Sequence, residues 1–167
     1  MMRKMTLSGF LGLLLALPVS AEIEQTHVNV RVLSAEAANA MTLAAYKDCL
    51  KKGYHVAAAV VTREGRMLSM TRSPLAGAHT IKVAEGKAFT AATFKTATTR
   101  LMGREFMRDI PDALIIGGGL PINIGGHFYG AIGVSGAPAK KTPGDVDDEC
   151  AIAGIDAVKD DIEMGAE

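Results

Sequence analysis

At 167 residues the chain is long enough for one domain with a substantial core, and 49% hydrophobic with 22% charged residues is the composition of an ordinary globular fold. Basic and acidic residues number 18 each, so the formal net charge is zero, which argues against nucleic acid or a polybasic membrane patch as partner chemistry. Tryptophan is absent and aromatics make up 5%, so a stacking platform has little to be built from.

The N-terminus reads as a secretory signal. Arg3 and Lys4 precede an apolar stretch from Phe10 to Leu17, followed by Pro18 and the small residues Ser20 and Ala21, placed for cleavage after Ala21. The stretch falls short of the ~20 residues that a bilayer-spanning helix needs. The expectation is a signal peptide over 1–21, an N-terminal extension over 22–32, and a periplasmic or secreted product without stable membrane insertion. In such a compartment Cys49 and Cys150 either bond to each other or remain as two buried thiols. A bond would close a loop of roughly 100 residues, nominally worth ~4–5 kcal/mol in the chain-entropy model.

Residues 34–53 predict a helix, with Ser34 as cap, Lys51 and Lys52 in the last turn and Gly53 as stop. Residues 54–62 and 67–72 predict the two strands of a hairpin across the turn Arg63-Glu64-Gly65-Arg66. A long helix is expected from Pro74 to Lys95, with a small-residue face at Ala84, Ala88, Ala91 and Ala92 that lets it lie close to a sheet. Gly86 inside it costs about 1 kcal/mol relative to alanine, so close packing or ligand contact is its expected reason. A short helix follows from about Thr98.

The run "ALIIGGGLPINIGGHFYGAIGVSGAP" is dense in glycine. A phosphate-binding loop needs a strand, the glycines and then a helix, but here Pro121 and β-branched residues follow the triple glycine. The expected reading is a strand at 113–116, a strand at 121–124, a tight Gly125-Gly126 turn and a strand at 127–135. The glycines then make turns and keep one sheet surface clear. A last helix is expected over 145–160, with Asp145, Asp147, Asp148 and Glu149 complementing its dipole, and a fraying tail over 161–167. The order implies an α+β sandwich, a mainly antiparallel sheet flanked by helices.

"AEGKAFTAATF", "GGGLPI" and "GAIGVSGA", together with the "VAAAVVTREGRMLSMTR" hairpin, resemble the GlcG/HbpS family of haem-binding or haem-degrading domains. The resemblance covers about 33–160. It implies a profilin-like or PAS-like sandwich, a homo-oligomer, and haem or a related tetrapyrrole as ligand.

Haem needs an apolar slot, an axial donor and cations for its propionates. His79 is the candidate metal ligand, with Arg72, Lys82 or Lys87 meeting carboxylates and His127 a further histidine in reach of the motif segments. Lys87 stands among alanines on the sheet-facing helix, so it must pair, reach solvent or grip an anion. Gly118, Gly119 and Pro121 would shape the rim of a pocket at the junction of the long helix and strands 113–135. No catalytic residues stand out. Ser135 in "GVSGA" lacks the nucleophile-elbow pattern, and haem chemistry needs little help from side chains. The rival expectations are a small-organic-acid binding or accessory protein, with Lys87 or Arg72 as anion partner, and an enzyme acting on such a metabolite.

Overall fold

The computed structural model describes residues 25–165. The expected signal peptide, the first residues of the extension and the last two of the tail lie outside the described residues. Helix α1 (Ala35–Lys51) starts where expected, the Ser34 side chain accepting from the Ala37 N–H at 3.1 Å. It turns Ala38, Met41, Ala45 and Cys49 inward on one stripe. Strands β1 (Ala57–Val61) and β2 (Met67–Arg72) form the expected hairpin, β1 buried on both faces.

Helix α2 (Thr80–Phe94) begins six residues later than the sequence suggests. After Ser73 the chain turns twice first: Ala76 N–H donates to Ser73 O, and Thr80 donates to Gly77 O through both its N–H and its hydroxyl. The second helical stretch is one turn of α3 (Thr98–Leu101) and a 3-10 turn (Glu105–Asp109).

Residues 113–116, expected as a strand, do not enter the sheet. They run along α2 instead, where Leu114 N–H donates to the Thr90 hydroxyl at 2.7 Å. A Cβ at Gly86 would lie 3.3 Å from the Leu114 side chain, so the glycine spaces this crossing. Strands β3 (Gly119–Ile124) and β4 (His127–Ser135) are joined by Gly125-Gly126, both at positive φ. Helix α4 (Asp145–Met164) runs past the expected end at 160 and takes in most of the expected tail.

The sheet has four strands in the order β2-β1-β4-β3, all antiparallel, so the fold is the α+β sandwich expected. Helices α1 and α4 cover one face over Val60, Ile122, Ile132 and Val134. Helix α2 covers the other through alanines, and at Gly133 the approach is backbone to backbone: a Cβ there would sit 2.1 Å from Ala84 O. Cys49 and Cys150 form a disulfide with Cα atoms 5.5 Å apart, joining the end of α1 to the start of α4.

Candidate functional site: a buried ion pair and an open cleft on either side of α2

The expected site residues separate into several places. Lys87 is only 2% exposed and donates to Asp147 Oδ2 at 2.7 Å and to Val134 O at 2.9 Å. Of its three sequence options the structure takes pairing. Gly118 belongs to the same place: at φ 111° it leaves room for the ammonium, since a Cβ there would lie 2.7 Å from Lys87 Nζ. Asp147 also accepts from Ala137 N–H at 3.1 Å. Beside it Asp148 accepts from Gly118 N–H at 2.8 Å and from the Thr99 hydroxyl.

Burial pushes both carboxyls above the ordinary carboxylate value, against the pull of Lys87 on Asp147 and of Thr99 and Gly118 on Asp148. This cluster locks α2, β4, the triple glycine and the start of α4 together. Asp145, by contrast, is a half-buried collar for the preceding loop. It accepts from Lys140 and Lys141 N–H at 3.0 and 2.7 Å, and these bonds hold its pKa at about 2.

The other side of α2 is open. A cleft of about 700 Å³ lies between α2, the β1–β2 turn and residues 112–114. That is the size of a small-molecule or cofactor site. Phe89, Gly86 and Leu114 supply its apolar lining, Arg66 and Lys82 its cations, and Glu64, Glu85 and Asp112 its carboxylates. Lys82 is the one expected ligand residue that lines it. His79, exposed at the head of α2, stands three residues before Lys82 and extends the stripe 79, 82, 86, 89 along one helix face.

The remaining candidates lie elsewhere. Arg72 is half-buried at the end of β2 and donates to Ala76 O, its Nε unpartnered among the described residues. Gly119 is bonded to Thr98, Pro121 is on β3, and His127 is exposed with its ring 6.5 Å from that of Tyr129. Arg66, Glu85, Phe89 and Leu114 were not singled out from sequence. The spacing 82, 86, 89 was the available signal, hidden because the small-residue face of the same helix dominates its pattern. Among the described residues no three His, Cys, Asp or Glu side chains gather as a metal site, and no helix is long and apolar enough to cross a membrane.

The fold recurs in solved structures. A double mutant of HbpS from Streptomyces reticuli is 35% identical, aligned over 86% of this chain and 97% of that one, with a TM-score of 0.74. The PduOC:haem complex is 26% identical over 76% of this chain and 95% of its own, with a TM-score of 0.65. A Klebsiella pneumoniae protein, ORFY, is 23% identical over 81% and 97%, with a TM-score of 0.73, and shows the fold. No curated protein matches the sequence. The family described as haem degrading protein HbpS-like matches residues 33–156, most of the chain. The chain therefore belongs to the HbpS-like haem degrading protein family.

Proposed function

We propose that this chain binds haem in the cleft beside α2. The observation that carries the reading is the open cleft beside α2, where a cation (Lys82) and an aromatic ring (Phe89) of the helix face Arg66 across it, with the nitrogen donor His79 outside the lining, three residues before Lys82 at the helix head. Phe89 and Leu114 would offer the apolar face a macrocycle needs, Lys82 and Arg66 would meet its propionates beside the carboxylates of Glu64, Glu85 and Asp112, and His79 would be the donor to its iron. The haem complex among the related structures supports the same ligand. Bound haem supplies a redox-active iron, and the chain's own residues bind and orient it.

The disulfide and the basic-apolar-small N-terminus support a periplasmic or secreted setting. The test is a haem titration followed by Soret absorbance, beside melting curves with small organic acids. Saturable stoichiometric haem binding, weakened roughly ten-fold by Lys82→Ala, is the expected result. A rise in melting temperature with organic acids and no saturable Soret change would replace this reading with that of an organic-acid accessory protein.

A further inference from the structure

We propose that the outer edge of β2, with the flank of α1 beside it, is a self-association surface. Two copies of the chain join β2 to β2 on it, antiparallel about a two-fold axis, into one continuous sheet.

The four-stranded sheet has two edges, and they differ. On β3, Val134 N–H donates to Gly118 O, so the antiparallel alternation turns the backbone of Gly119 and Pro121 outward. Both Gly119 groups are bonded to the Thr98 hydroxyl, and Pro121 has no N–H, so the edge is closed there. On β2, Ser73 N–H donates to Val56 O, which by the same alternation turns the backbone of Met70 and Arg72 outward. No group among the described residues bonds to those N–H and C=O groups. The Arg72 guanidinium, a charge that could guard the edge, is folded onto Ala76 O instead. Such an edge is a ready template for another strand.

A second copy is the occupant that fits without rearrangement. With the axis at Thr71, Met70 of each copy faces Arg72 of the other, and the outward groups of both residues are paired. The incoming strand is already ordered, so it loses none of the entropy that a free peptide would. The helix beside the edge matches. Asn39 accepts from the Ser69 hydroxyl at 2.6 Å and Thr42 bonds with Ser69 and Thr71, so the α1 stripe 39, 43, 46, 50 runs on the β2 side. That stripe carries no charge, and its Leu43 and Leu50 are 42% and 40% exposed. Because α1 packs on both β1 and β2, two-fold pairing sets the two α1 axes two strand spacings apart. That is about 10 Å, the distance of packed helices. Leu43, next to Thr42, lies nearest the axis and meets its own copy.

The test uses the full chain. Met70→Pro removes an outward N–H and no bond to β1, and Leu43→Lys puts a charge on the exposed stripe. Each should halve the sedimentation mass while the circular dichroism is kept, and Leu43→Lys decides the matter if proline disturbs the strand. Separately, Leu43→Cys should link to its own copy under mild oxidation, the native cysteines being already bonded. Ile152→Cys, similarly exposed on α4, should not. A monomeric wild type, an unchanged mass for Leu43→Lys, or linking no faster at position 43 than at 152 overturns the proposal.

Discussion

A lysine ammonium and a carboxylate taken out of water together lose several kcal/mol of solvation each, which their attraction offsets only with close geometry and further hydrogen bonds. Lys87 and Asp147 meet that condition, with Val134 O and Ala137 N–H as the additional partners. Removing one charge strands the other, so Lys87→Met should cost roughly 3–5 kcal/mol in urea unfolding. Adding Asp147→Leu should recover most of that loss. A double variant as unstable as the single one would show that packing around the ammonium, not charge, is at stake.

Asp145 has the opposite character. Its pKa is depressed to about 2 by bonds made only in the folded chain, so its contribution is present above the ordinary value of 3.8 and lost as pH falls through about 2. Amide exchange at Lys140 and Lys141 should therefore accelerate over that acid window, relative to the intrinsic rate, and an Asp145→Ala variant should lack protection at every pH. The sequence marked Lys87 as a residue that must pair or grip something, because its alanine neighbours left it nowhere polar to sit. It could not name the partner. Asp147 lies 60 residues away in the chain and reads locally as one of several acids on a helix N-terminus.

At the scale of elements, α4 is held at its first turns by three independent devices. Asp147 and Asp148 tie it to α2 and the triple glycine, and Cys150 ties it to α1 one turn later. The disulfide closes a span of 101 residues, so Cys49→Ala with Cys150→Ala should lower stability by roughly 2–5 kcal/mol in urea unfolding. A change of only a few tenths would mean that the ionic cluster alone holds α4 in place.

Helices α1 and α4 and the two hairpins were legible because each carries a local signal: Ser34, the acidic first turn of α4, the 63–66 turn and Gly125-Gly126. Residues 113–116 were not, since a short apolar run suits a strand or a packed loop equally. What decided it was a distant pair on α2, the missing side chain at Gly86 and the hydroxyl of Thr90, which draws Leu114 out of the sheet. The late start of α2 has a similar origin, in turns set by Ser73 and Gly77.

At the scale of the whole molecule, α2 divides the chemistry. Its inner face is alanine against a glycine-bearing strand, closed to any ligand, with Lys87 in an internal pair. Its outer face opens on the cleft with Lys82 and Phe89. The expected site at the helix–strand junction drew residues from both faces, because sequence motifs mark which segments meet and not which side of a helix stays free. Only His79 and Lys82 from that set stand on the stripe that leads along the open side.

The proposed haem binding on this stripe, with His79 as donor to the iron, is tested most directly by the Soret spectrum of the haem-loaded chain beside that of His79→Ala. A saturable band is expected for the wild type, and for the variant a shifted band with affinity reduced at least ten-fold. Identical band position and affinity in the two proteins would contradict it.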